Sequence, residues 1–287
     1  MRHVAVGPLA LGFIVFIASA PNAAAQAVSA ADLRVTTAWL AQHLSDSGIR
    51  IVATGNRSEF NRAHIPGARF VEHDDTLDMT AGRHQIKSPQ ALVPVLTAAG
   101  ITDGVRVVLY GDSPMTTGWL YTVIASTGHE ADISWLDGSM ALWEAEGRPT
   151  STAAAPVVTG QLTVKPASPY AVDAKWVRDR LSDAKVAVLD VRTTQEWNAG
   201  HLPNATLILW QDLFDDQRTL KLKSPAQIRE LLASKGVDPN DEVVTYCAVG
   251  MRASLMYWAA RSVGVPAHAY VGSWQDWQRD ASNPVAK

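Results

Sequence analysis

The sequence predicts an α/β protein built twice over: two tandem domains, each a mainly parallel central sheet with helices on both faces. Three observations carry that expectation. The chain has 287 residues, about twice the usual domain of roughly 150. It repeats itself at a nearly constant spacing. Within the second copy, short apolar runs alternate with helical segments, the pattern of a parallel sheet covered on both sides.

The repeat is read from matched words. Asn-Arg-Ala-His-Ile-Pro-Gly-Ala at 61–68 returns as Asn-Ala-Gly-His-Leu-Pro-Asn-Ala at 198–205, a spacing of 137. Trp39 matches Trp176 at that spacing, as Ser58-Glu59-Phe60 matches Gln195-Glu196-Trp197. Lys87-Ser88-Pro89 matches Lys223-Ser224-Pro225, and Val107-Val108-Leu109-Tyr110 matches Val243-Val244-Thr245-Tyr246, both at 136. Asp137-Gly138-Ser139 and Trp143 match Val271-Gly272-Ser273 and Trp277 at 134. So small a drift marks one domain duplicated. The copies occupy 32–149 and 172–283. The small, Pro-rich stretch 150–171 between them reads as an extended, exposed linker. The paired tryptophans read as repeated packing anchors.

In the second copy, 173–181 reads as a helix with Asp173 as its N-cap, and 186–189 as a buried strand. Ser224 caps a helix over 225–234, with Pro225 at its first position. A second strand spans 243–246. A helix over 252–263 ends at Gly264, and a third strand covers 267–271. In such sheets, ligands bind beyond the carboxyl ends of the strands.

Composition narrows the function. With 25 Lys+Arg, 28 Asp+Glu and a net charge of −3, there is no basic block for phosphate binding, so nucleic acid is not the expected partner. Hydrophobic content of 47% with 18% charged residues is that of a globular chain. Met1-Arg2-His3, an apolar run over 4–20 and the small residues Ala23-Ala24-Ala25-Gln26-Ala27 read as a secretory signal over 1–27, cleaved after Ala25 or Ala27. Gly7, Pro8 and Gly12 interrupt the run, which is short for a membrane span. No later segment is long and apolar enough to span. The mature protein is therefore expected to be periplasmic or secreted, without a membrane partner. The single cysteine excludes a disulfide framework and a multi-cysteine metal site. The eight histidines show no metal-ligand spacing. No cofactor is expected.

That cysteine, Cys247, follows the strand at 243–246 and precedes the helix expected from Arg252. The loop between is Ala248-Val249-Gly250-Met251. A strand–loop–helix turn gathers backbone N–H groups at a helix N-terminus, which favours the thiolate, the nucleophilic form. Gly250 permits backbone geometry that other residues resist, and Arg252 adds a cation. A reactive thiol is thus expected here, not a core residue.

These residues resemble the two-domain rhodanese family of thiosulfate and 3-mercaptopyruvate sulfurtransferases. The resemblance rests on Asp190-Val191-Arg192, Glu196-Trp197, Gly200-His201-Leu202-Pro203-Asn204-Ala205, and Tyr246-Cys247 through Arg252-Ala253-Ser254. In the first copy it rests on Ala63-His64-Ile65-Pro66-Gly67-Ala68. It implies that Cys247 takes the outer sulfur of a donor as a persulfide and hands it to cyanide or a thiol, in ping-pong fashion. It implies a donor site built from Ala248, Val249, Gly250, Met251, Arg252 and Arg192, in a monomer. Arg192 meets the anionic donor, pairs with Glu196, or does both. Arg252 either clamps the donor or serves a helix-terminal ion pair. In mercaptopyruvate-type members a first-domain histidine at the position of His64 is linked to the site. His64 and His201 otherwise occupy a turn that is mostly structural in this fold.

The first copy departs at every chemical position. Gly111 stands for Cys247, Thr116 for Arg252, Ala53 for Asp190 and Gly55 for Arg192. It is expected to be a catalytically inactive partner to the active second copy. Phosphatase or arsenate reductase chemistry on the same fold uses Cys-x5-Arg to surround a tetrahedral oxyanion, whereas Cys247 and Arg252 enclose only four residues. No histidine–asparagine arrangement suits a papain-like protease. Two alternatives stay open: a 3-mercaptopyruvate donor, and a persulfide carrier that does not turn over.

Overall fold

The computed structural model describes residues 33–80, 84–166 and 170–287, with Met1. Apart from Met1, the leader expected over 1–27 lies outside the described residues.

The first domain runs β1 (Arg34–Val35), α1 (Thr37–Gln42), β2 (Ile49–Thr54), α2 (Arg57–Arg62), β3 (Arg69–Phe70), the hairpin strands β4 (Leu77–Asp78) and β5 (Gln85–Ile86), α3 (Pro89–Ala98), β6 (Arg106–Gly111), α4 (Pro114–Ser126), β7 (Ile133–Leu136) and α5 (Ser139–Ala145). The second runs α6 (Ala174–Arg178), β8 (Val186–Asp190), α7 (Thr194–Ala199), β9 (Thr206–Leu207), the hairpin β10 (Phe214–Asp216) and β11 (Lys221–Leu222), α8 (Pro225–Ser234), β12 (Glu242–Tyr246), α9 (Met251–Ser262), β13 (Ala267–Ala269) and α10 (Ser273–Trp277).

Both main sheets are parallel and have one topology. The first has the order β1-β7-β6-β2-β3 and the second β13-β12-β8-β9. Ala171 bridges Ala269 in parallel, supplying the place that β1 holds in the first sheet. Alternation along each strand then feeds two cores. Val107 and Leu109 of β6 face α3 and α4, while Val108 and Tyr110 face α1 and α5. In the second domain Val243 shares the core of α8 and α9, while Val244 and Tyr246 share that of α6 and α10.

Helix ends follow their side chains. Ser224 accepts from the Gln227 amide while Gln227 returns a bond to Ser224, a capping box that starts α8. Asp173 caps α6 as expected, but the helix stops at Arg178 and gives way to turns. Trp143 and Trp277 are fully buried and donate to the carbonyls of Pro149 and Pro284, one bond repeated in both copies. The linker departs from expectation. Its described residues form no helix, but Ser151 pairs with His64, Thr163 bonds the Asp103 carboxylate twice, and Leu162 is buried.

The two domains share one core across their interface. There α4 crosses α9, with Gly118 set against the backbone of Leu255. Glu130 of the first domain receives Tyr121 and Tyr257 hydroxyls at 3.0 and 2.8 Å and the Arg261 guanidinium at 3.0 Å. Each hairpin reaches the other domain. Leu222 donates to Asp137 and accepts from Arg34, both at 2.9 Å, which ties β11 to the first domain. Gln85 and Ile86 of β5 face Tyr270, Val271 and Gly272 across a cavity of about 510 Å³.

Candidate active site

Cys247 lies just past the end of β12, where the chain turns into α9. It is a free thiol, 1% exposed. The Gly250 amide points at its Sγ from 3.1 Å. Its own amide donates to the Ser273 Oγ at 3.0 Å, and that hydroxyl stands 4.0 Å from the sulfur. Gly250 has φ +93, and a Cβ there would stand 2.4 Å from the Val271 carbonyl oxygen. Only glycine fits that left-handed, crowded corner, so Gly250 is what lets the loop close on the sulfur. The loop carbonyls point the other way: Cys247 and Ala248 accept from the amides of Trp274 and Gln275 at 2.9 and 3.0 Å. Met251 opens α9, one residue earlier than expected.

Arg252 meets Glu196 in a bidentate pair, 2.8 Å at each contact. Glu196 is itself held by the Thr193 amide and hydroxyl in the capping box of α7. Arg252, with Thr193 also bonding it, holds the Glu196 carboxyl down to about 2. Glu196 first, and then Cys247, raise the Arg252 guanidinium above its ordinary value. The cation therefore faces the carboxylate and lies within electrostatic reach of the sulfur. Both sequence options for Arg252 are compatible with this: it forms the ion pair beside the thiol that a donor would approach.

Arg192 is a correction. It does not pair with Glu196. Its Nη2 lies 2.6 Å from Asp190 Oδ2 and 2.7 Å from the Gly200 carbonyl oxygen, and its side chain is 2% exposed. Its Nε and Nη2 are thus taken by Asp190 and Gly200, and the Trp274 ring lies 4.5 Å away.

His64 and His201 also belong to the scaffold. His64 contacts the carbonyls of Phe60 and Ala153 and stacks on Phe60. His201 contacts the Trp197 carbonyl and stacks on Trp197 at 3.5 Å. A first-domain histidine that does reach the site is His84, whose ring lies beside the backbone of Val249. Burial, then neighbouring His73, push its imidazole below the ordinary value. Sequence reasoning missed His84 because a contact between the copies leaves no spacing signal within either. Ser273 belongs to the repeated Gly-Ser, and its counterpart Ser139 likewise receives the Gly111 amide at 3.2 Å in the first copy, so the repeat alone does not mark its place beside the sulfur.

The corresponding corner of the first copy holds no nucleophile. Gly111 stands in place of Cys247, and Asp112 leans across Gly55 to accept from the Asn56 amide. A cavity of about 250 Å³ remains there, covered by Gln217, Arg218 and Leu220 of the β10–β11 hairpin.

A fold of two parallel-sheet domains, with one thiol in an amide-lined loop at a strand end, defines a class that comparison makes definite. The Rhodanese-like domain family matches residues 36–146 and again 173–280. The chain belongs to that family, with two copies of its domain. It is 29% identical over 249 residues to the "Probable 3-mercaptopyruvate sulfurtransferase" of Pseudomonas aeruginosa, covering 79% of this chain and 85% of that one. It is 27% identical over 267 residues to the "Thiosulfate sulfurtransferase" of Azotobacter vinelandii, covering 88% and 96%. Among solved structures, SseA from Escherichia coli, titled among 3-mercaptopyruvate sulfotransferases, superposes with a TM-score of 0.76 at 21% identity, covering 85% of this chain and 99% of that one.

Proposed function

We propose that the protein is a sulfurtransferase that carries sulfane sulfur on Cys247 and draws it from thiosulfate. The observation that carries this reading is the Gly250 amide 3.1 Å from the Cys247 sulfur, with Arg252 beside it. An amide donor and a cation at one sulfur stabilise the thiolate before transfer and the persulfide anion after it, as an oxyanion hole does for oxygen. The Cys247 thiolate attacks the outer sulfur of thiosulfate. The sulfur–sulfur bond of the donor breaks, its electron pair leaves with sulfite, and a persulfide anion remains on Cys247. Cyanide or a thiolate then attacks the terminal sulfur, leaving as thiocyanate or a new persulfide and restoring the Cys247 thiolate.

Thiosulfate is favoured as donor because Arg252 offers charge to a dianion. Similarity to the Pseudomonas relative supports 3-mercaptopyruvate as the second reading. The test is the intact mass of the protein mixed with thiosulfate. One sulfur is expected to add, to leave with cyanide, and to add again over many cycles. The Cys247→Ser variant is expected to gain none. An adduct that does not turn over would make the protein a carrier, and no adduct would end the proposal. The ratio of kcat/KM for the two donors decides between them. We also propose export through the leader at 1–27. A mature N-terminus at Gln26 or Val28 is expected by N-terminal sequencing, and retention of Met1 would refute it.

A further inference from the structure

A row of residues that no transfer step uses lies behind Cys247. Asp190 and Arg192 form a buried ion pair, with side chains 0% and 2% exposed. Arg192 Nε lies 2.9 and 3.0 Å from the two carboxylate oxygens, and the Tyr246 hydroxyl donates to the same carboxylate at 2.5 Å. Such pairing is what makes two buried charges tolerable. The guanidinium sits over the Trp274 ring, a cation–π contact. Trp274 and Gln275 donate their amides to the carbonyls of Cys247 and Ala248. A trans peptide is planar, with C=O and N–H on opposite sides. Tying those carbonyls to α10 therefore turns the N–H groups of Ala248 and Val249 away from α10, into the loop that the Gly250 amide closes on Sγ.

The first copy is an internal control. It keeps the tyrosine that braces the fold: Tyr110 accepts from the Ile65 amide at 3.2 Å, as Tyr246 accepts from Leu202 at 3.1 Å. It has Ala53, Gly55 and Met140 where the second copy has Asp190, Arg192 and Trp274, and there the Gly111 carbonyl is taken by the Ser139 hydroxyl. The charged pair and the indole thus accompany the cysteine, not the fold.

We propose that Asp190, Arg192 and Trp274 form a strut that sets the peptide groups of the Cys247 loop, so that Arg192 is a positioning residue rather than a donor ligand. Only the transfer arm of the test rests on the function proposed above. Cys247 is alkylated with iodoacetamide, an uncharged reagent, across a pH series, and kcat and KM are measured with thiosulfate and 3-mercaptopyruvate. Two variants are used: Asp190→Asn with Arg192→Met, which removes both charges together, and Trp274→Leu, at a partly exposed position. Alkylation at pH 7 is expected to slow about tenfold in both, the factor that about 1.4 kcal/mol of lost stabilisation gives. kcat is expected to fall by one common factor for both donors, with KM little changed. Alkylation at the parental rate, with KM raised for one donor alone, would make Arg192 a donor clamp and overturn the proposal. Should the paired substitution unfold the chain, Trp274→Leu decides by the same readings. Slowed alkylation in a protein that transfers no sulfur would leave the strut standing and refute the functional reading instead.

Discussion

Arg252 and Glu196 show what one ion pair does beside a thiol. Glu196 is held down to about 2 from its ordinary 4.5. A carboxyl depressed on folding contributes stability that is whole above its unfolded value and is lost as pH falls through the folded one. The expected signature is an acid limb in Tm between about pH 4.5 and 2 that flattens in Glu196→Gln; an unchanged limb would assign it to other carboxylates. Arg252→Ala is expected to weaken use of thiosulfate more than of 3-mercaptopyruvate, read as the change in the kcat/KM ratio. Equal losses would contradict a role toward the dianion. At this scale the sequence places Cys247, Gly250 and Arg252 in one strand-to-helix loop, as the structure does, because they lie within six residues and their loop geometry is local. The pairing of Arg192 with Glu196 did not form, because an Asp-x-Arg motif states which residues are neighbours but not which way a buried guanidinium turns. That is decided by Asp190 and Gly200, close by in the chain, together with Trp274 from the far end of the domain.

Among the elements, α4 and α9 carry the contact between domains. A Cβ on Gly118 would lie 2.6 Å from the Leu255 Cα and backbone nitrogen. Neither is the movable end of a side chain, so the helices must separate. Gly118→Ala gains about 1 kcal/mol of helix propensity, against overpacking costs of about 1–3 kcal/mol. A net fall in Tm is expected by calorimetry, and a rise would show that the crossing is loose. Element positions were most legible at α8, where Ser224 and Pro225 mark the start and the expected helix 225–234 is observed. They were less legible at α6, where periodicity suggested a longer helix than the turns after Arg178 permit, and at β13, where pairing ends at Ala269 although apolar residues continue to Val271.

For the whole molecule, duplication and parallel sheets followed from periodicity, because a repeat preserves its buried positions. How one copy sits on the other did not, since both copies carry the same pattern. The shared core predicts a single cooperative unfolding transition. Glu130 is the polar node of that contact. Burial pulls its carboxyl up, but Arg261, Tyr257 and Tyr121 outweigh it and hold it below its ordinary value. Glu130→Ala is expected to cost about 2 kcal/mol, between an exposed pair and a buried one. The denaturant midpoint should fall with an unchanged slope. A second transition would show instead that the domains unfold apart.

The crossed hairpins have a further consequence. Tyr121 and Tyr257 occupy equivalent places in the repeat and pack against each other, ring centroids 5.9 Å apart, with α4 against α9. The strand pair of each copy reaches over the other's strand ends. This is the self-complementary pattern of a two-fold homodimer, joined here into one chain. Covalent linkage removes the demand that both halves stay alike. One cap could then be matched to a working thiol and the other to Gly111, so neither half is a spare: the half without the cysteine supplies the His84 that lies on the half with it.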